Sequence, residues 1–323
     1  MPNIVLPALP PVAAGANPVE REFLTQLLDH QLLIWTGVPG VYGKGAVFED
    51  ILESFDRLIT RSAASDGAEA LRFPPVLSRS HFEQSEFLKS FPHLAGAVTS
   101  FEGTPAEHAA MLDAVGKGED WLRYQKLTGI VLGSAACYPL YPYAAQTGPL
   151  PDGGRLFDVF AWCFRHEPSG DPARMQSFRM REFVRVSADG DATVVPWRDV
   201  WAERGRALLA GLGLPVVVDV ANDPFFGRGG KILAAGQREQ RLKFELLVPI
   251  CSQEAPTAIM SFNYHQDHFG SRFGIQGGGG APAHTACVGF GMERITLALL
   301  KHLGPDPRAW PAATRQLLWP SAG

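Results

Sequence analysis

The chain has 323 residues, 46% of them hydrophobic, and a net charge of -4. That is enough chain to bury one large core or two modest ones, and the mild acidity gives no electrostatic reason for nucleic acid as the main partner. No uninterrupted apolar run is long enough to span a bilayer, which argues against a membrane protein. Residues 1–7 lack a basic n-region, and Pro7, Pro10 and Pro11 break the apolar run, so the start reads as a loose arm of a cytoplasmic protein and not as a signal peptide. Cys137, Cys163, Cys251 and Cys287 lie far apart without a Cys-x-x-Cys pair, so neither a disulfide framework nor a zinc ribbon is expected.

Along the chain, residues 20–33 read as a helix with Phe23, Leu27 and Leu28 on one face. A second helix is expected over 48–64, where Ile51, Phe55, Leu58 and Ile59 recur at helical spacing, followed by a Pro-bearing strand at 71–77. Further helices are expected at 106–115 and 197–211, and strands at 214–219, 240–250 and 257–264. Residues 223–236 and 277–284 are glycine-rich and read as flexible loops, the first carrying Phe225, Phe226, Arg228 and Lys231. No repeat or linker is evident. The expectation is a single domain over 1–323, with an arm and helix over 1–45.

Two segments carry chemistry. Cys163-Phe164-Arg165-His166-Glu167, a Pro/Ser/Gly/Asp run, and Phe178-Arg179-Met180-Arg181-Glu182-Phe183 read as an antiparallel hairpin. Later, Val288-Gly289-Phe290-Gly291-Met292-Glu293-Arg294 reads as a strand ending in glycines that open into a helix with Ile295, Leu299 and Leu300 on its apolar face. Arg294 then sits at the mouth of that helix, where a planar guanidinium meets a phosphate or a purine.

Phe-Arg-x-Glu, a loop and Arg-x-x-x-Phe, followed by Gly-x-Gly-x-Glu-Arg, resemble motifs 2 and 3 of the class II aminoacyl-tRNA synthetases. The helix and Pro-bearing strand over 48–77 resemble their motif 1, which implies a homodimer. Lys243-Phe244-Glu245 and Ser261-Phe262-Asn263 resemble elements of the seryl enzymes, but there is no charged two-helix arm of the kind that grips tRNA. Ala136-Cys137-Tyr138-Pro139, Phe262-Asn263-Tyr264-His265-Gln266-Asp267-His268-Phe269-Gly270 and Thr285-Ala286-Cys287-Val288-Gly289 look like the amino acid:[carrier protein] ligases, truncated homologues of the zinc-dependent seryl enzymes of methanogens.

This resemblance implies an α+β fold, with an antiparallel sheet flanked by helices. It implies ATP-dependent activation of a small amino acid, glycine or alanine, to an aminoacyl-adenylate with release of pyrophosphate. The acyl group then passes to the phosphopantetheine thiol of a carrier protein. Arg165 is implied as the catalytic residue, with Arg165, Glu167, Phe183, Arg294 and Glu245 at ATP. Phe183 and Arg294 would stack on the two adenine faces, and Glu245 would serve Mg2+ beside the phosphates. Zn2+ is implied on Cys137, Glu182 and Cys287. Glu182 and Phe183 are neighbours on one strand and point to opposite faces, so serving metal and adenine together would need a twist or bulge. The residues 223–231 are a candidate carrier-docking or lid element. A minimal zinc-dependent tRNA synthetase and a non-catalytic regulatory paralogue are the competing readings.

Overall fold

A computed structural model describes residues 16–320, apart from the side chain of Arg228; the arm read over 1–7 lies outside the described residues. The first helix, Pro18–Asp29, starts two residues earlier than expected because Asn17 and Glu20 form a reciprocal cap. Asn17 Oδ1 accepts from the Glu20 N–H at 3.0 Å, and the Glu20 carboxylate accepts from the Asn17 N–H at 2.8 Å. It also ends earlier, since Leu33 already belongs to a hairpin of β1 (Leu33–Val38) and β2 (Val41–Lys44).

The helix Ala46–Ser62 follows, and the expected strand at 71–77 is two strands, β3 (Glu69–Arg72) and β4 (Val76–Ser78). Pro74 and Pro75 lie between them and lack the N–H that a ladder needs. With β5 (Ala97–Phe101) and β6 (Gln125–Leu132), β4 forms a small antiparallel sheet in the order β4-β6-β5. The other strands are β7 (Arg155–Phe164), β8 (Ser177–Ser187), β9 (Val217–Val220), β10 (Lys243–Val248), β11 (Thr257–Tyr264) and β12 (His284–Gly291). They join β3 in a seven-stranded sheet ordered β3-β7-β8-β12-β11-β10-β9, antiparallel except for the β3–β7 pair.

One face of this sheet carries the main core. Phe183, Phe262, Val288 and Phe290 pack there with Trp201 of the helix Asp191–Gly211 and with Phe55 and Ile295 of the helices Ala46–Ser62 and Met292–Leu303. Trp201 stacks on Phe183 with ring centroids 4.9 Å apart and meets the edge of Phe290 at 6.0 Å. Each ring buried this way contributes about 1.5–3 kcal/mol by transfer from water. Gly205 brings the helix close to the sheet, because a Cβ there would lie 2.8 Å from Met260 Cε and 3.2 Å from Phe262 Cζ.

The same face holds two neutralised arginines of β8. Arg179 bonds Glu293 through Nε at 2.8 Å and clasps Glu49 at 2.7 and 2.9 Å, tying the helix Ala46–Ser62 to the start of Met292–Leu303. Arg181 clasps Asp158 at 3.0 and 2.7 Å and reaches Asp56. Residues 223–236, read as a loop, instead contain most of the helix Gly227–Glu239. Lys231, Ile232, Leu233, Ala234 and Ala235 are good helix formers, and Gly230 is needed where a Cβ would meet the Phe225 carbonyl at 2.5 Å.

Candidate active site

Alternation along the strands delivers one set of side chains to the core and the other to a cavity of about 650 Å³. On β8 the cavity receives Phe178, Met180 and Glu182, and on β12 it receives Cys287, Gly289 and Gly291. The ladder fixes their alignment: Gly289 stands opposite Glu182 and Ser261, and Cys287 opposite Val184 and Asn263. Farther along the sheet, Asn263 pairs with Lys243 and Ser261 with Glu245, so all four also face the cavity. Gly289 keeps the floor flat, since a Cβ there would lie 3.1 Å from both Met180 Cε and Ser261 Oγ.

One end of the cavity is cationic. Arg165 follows directly on β7; its Nε donates to the Ser134 carbonyl at 3.0 Å, and its guanidinium carbon lies 5.4 Å from the Phe178 ring centroid. Arg294, at the start of its helix, donates to the Ala173 and Ala258 carbonyls at 2.9 and 3.0 Å. Neither makes an ion pair among the described residues. Burial, then the nearby charges of Arg165 and Arg174, hold the Arg294 guanidinium below its ordinary value. Glu167 lines the same end, and its carboxylate accepts from Arg174 Nη1 at 3.2 Å. Glu245 reaches the cavity too, with its carboxylate held by Lys243 at 2.9 Å; Lys243 also donates to Asp223 at 2.6 Å.

Phe183 is not part of this cavity. It is buried under Trp201 on the opposite face of the sheet, and no bulge interrupts β8 to turn it round. The aromatic ring that does line the cavity is Phe178. The spacing Arg-x-x-x-Phe occurs in two frames, Arg179 to Phe183 and Arg174 to Phe178, and only strand direction separates them. The sequence reading took the frame that ends at Phe183, whereas the frame that ends at the cavity-lining Phe178 begins at Arg174, which bonds Glu167.

At the other end of the cavity stand Cys137, Glu182 and Cys287. Glu182 Oε1 accepts from the Ala136 N–H at 2.8 Å, while Cys287 Sγ accepts from Asn263 Nδ2 at 3.2 Å and lies 3.6 Å from His265 Nε2. Among the described residues, no group of three or more His, Cys, Asp and Glu side chains is gathered so as to hold a metal ion. The chemistry of the trio nevertheless suits a cation. Burial pushes both thiols and the Glu182 carboxyl above their ordinary values, and a cation among them would favour all three anions. Asp267 and His268, which flank this stretch, turn elsewhere: Asp267 accepts from Ser271 Oγ at 2.9 Å, and His268 Nε2 donates to the Ser85 carbonyl at 3.2 Å. Cys163 and Cys251 are buried thiols, as their apolar neighbours suggest.

No protein-family model matches the chain. Over 315 residues it is 48% identical to the amino acid--[acyl-carrier-protein] ligase 1 of Bradyrhizobium diazoefficiens, covering 97% of this chain and 94% of that protein. The type-2 serine--tRNA ligase of Methanopyrus kandleri is 28% identical over 195 residues, 57% of this chain and 36% of that one. The crystal structure of the M. kandleri seryl-tRNA synthetase with A. aeolicus tRNASec shares the fold, with a TM-score of 0.77 at 21% identity; the match covers 94% of this chain and 60% of the synthetase. The sheet and its flanking helices are thus those of a class II synthetase catalytic core. Among the described residues no helix is long and apolar enough to cross a membrane. Sustained identity along nearly the full length of both chains places this protein in the family of amino acid--[acyl-carrier-protein] ligases.

Proposed function

We propose that the cavity condenses ATP with a small amino acid, glycine or alanine, to an aminoacyl-adenylate, releasing pyrophosphate, and then passes the acyl group to the phosphopantetheine thiol of a carrier protein. The observation that carries this reading is the pair of unneutralised guanidiniums, Arg165 and Arg294, in the same cavity as the Cys137–Glu182–Cys287 wall. Adenine lies between the Phe178 ring and Arg294, the role read from the sequence for Phe183 passing to Phe178. Glu167 accepts from the adenine amine, and Arg174 beside it attracts the phosphates.

The reaction brings together two anions, the amino-acid carboxylate and the α-phosphate. Arg165, at the cationic end, screens their repulsion and stabilises charge that develops on the phosphorus oxygens. Mg2+ would neutralise part of the triphosphate when bound, with Glu245 as a carboxylate to serve it. Zn2+, held by Cys137, Glu182 and Cys287, supplies a Lewis-acid position for a neutral α-amino group. The walls at that end are tied by hydrogen bonds, Asn263 and His265 to Cys287 and Lys243 to Asp223, and this resists widening for a large side chain.

The carrier reaches the cavity over the helix Gly227–Glu239. Ile232 and Leu233 are 76% and 50% exposed on it and also rim the cavity opening. The protein works in the cytoplasm as a homodimer. The helix Pro105–Gly116 and β6 leave Leu112, Val115 and Leu127 exposed, an apolar face that a second copy would cover.

The test is incubation with ATP, Mg2+ and radiolabelled glycine or alanine, with pantetheinylated carrier protein and bulk tRNA in parallel. Label on the carrier through a thiol-sensitive bond, with none on tRNA, is expected. Label on tRNA, or no adenylate with any amino acid, would overturn the reading. Elemental analysis should find one zinc per chain, lost in Cys287→Ser.

A further inference from the structure

The loop that carries Arg165, Glu167 and Arg174 is held from outside the cavity by one buried side chain. Gln176 stands at the end of the loop, 5% exposed, and does not line the cavity. Every polar group it owns is engaged. Its N–H donates to the Gly40 carbonyl at 2.7 Å, and Nε2 donates to the Pro39 carbonyl at 2.8 Å. Its carbonyl accepts from the Arg165 N–H at 2.9 Å, and Oε1 stands 3.2 Å from His166 Nδ1. One residue therefore joins both ends of the ATP loop to the tip of the β1–β2 hairpin.

The hairpin is built for this contact. Gly40 has φ +78, a conformation that a side chain disfavours, and a Cβ there would lie 3.1 Å from Gln176 Cγ. The hairpin is itself anchored away from its tip, with Lys44 Nζ 4.9 Å from the Trp162 ring centroid on β7. The loop's internal bonds run Ala173 N–H to Asp171 Oδ1 at 2.9 Å and Arg294 Nε to the Ala173 carbonyl. Displacing Gln176 thus also moves a support of Arg294.

We infer that Gln176 is a positioning residue that, through the tip of the β1–β2 hairpin, holds the ATP loop in its binding geometry before ATP arrives. This rests on the reading of the cavity as an ATP site. A loop ordered in advance loses less conformational freedom on binding, so the clasp acts most on ATP affinity and reaches the amino acid only through Arg165.

The experiment measures ATP–pyrophosphate exchange and direct ATP binding by calorimetry for the intact protein, Gln176→Ala, Gln176→Glu and Gly40→Ala. Saturable ATP binding by the unaltered protein establishes the site first; its absence would sink the ATP reading itself. Gln176→Ala is expected to raise KM for ATP about tenfold through loss of its two buried side-chain hydrogen bonds, with a clearly smaller rise in KM for the amino acid. Gln176→Glu should not restore it, because a carboxylate cannot donate to the Pro39 carbonyl. Gly40→Ala should shift KM in the same direction. Equal rises in both KM values, or an unchanged KM for ATP in a folded Gln176→Ala protein, would overturn the inference. Hydrogen exchange over residues 165–176 without ATP gives a second readout, faster in the variant if the clasp orders the loop.

Discussion

Two pairs of arginines flank the same sheet and do opposite things. Arg179 and Arg181 face the helices, and each is matched by two carboxylates in place. Arg165 and Arg294 face the cavity and are steered by backbone carbonyls, with no carboxylate paired to either among the described residues, which orients a guanidinium without cancelling its charge. An arginine that holds a fold together is neutralised where it stands, whereas one that awaits an anion is aimed and left charged. Position makes the division: Arg179 and Arg181 project from alternate residues of β8 onto the core face, whereas Arg165 follows β7 and Arg294 opens a helix at the cavity.

The largest expected effect breaks that division. Arg179→Ala strands Glu293 and Glu49 and should cost about 3–5 kcal/mol of stability, the scale for removing one partner of a buried pair. Arg165→Ala should leave the thermal midpoint unchanged and slow adenylate formation by about a hundred- to a thousandfold, the scale for losing a preorganised donor. Thermal melts and exchange kinetics on both variants check the split. A stability loss in Arg165→Ala would mean that it, too, is structural.

The two phenylalanines sharpen the same contrast. Phe183→Ala should destabilise by about 3–5 kcal/mol, as large-to-small changes in a packed core do. Phe178→Ala should fold normally and weaken ATP binding by about 1–3 kcal/mol, the range for one base stacked on an aromatic ring. Calorimetric titration with ATP and chemical denaturation distinguish them, and an exchange of these phenotypes would restore Phe183 to the adenine. The smallest effect is expected of Glu167→Gln, which should raise KM for ATP by the equivalent of about 0.5–1.5 kcal/mol for one hydrogen bond.

These pairs also mark how far the site was legible in the chain. Motif order and spacing located the β7–β8 hairpin and the β12-to-helix corner, and brought Arg165, Glu167, Glu182, Cys287 and Arg294 to one cavity. Spacing could not separate two Arg-x-x-x-Phe frames, although alternation from Glu182 already placed Phe183 on the far face. The helix Gly227–Glu239 was hidden by its glycines, whose low propensity is overridden where Gly230 packs against the Phe225 backbone. The clasp of Gln176 on Pro39 and Gly40 joins residues distant in sequence and has no local pattern to betray it.

Gly205 has a reach beyond its own helix. Met260 and Phe262, which fill the space its missing methyl leaves, alternate along β11 with Ser261 and Asn263, which floor the cavity. A strand transmits a push through its thickness, so a bulkier residue at 205 would lift the floor from behind, without touching any ligand. The depth of the binding chamber is therefore partly written on the far side of the sheet, in an atom the protein omits.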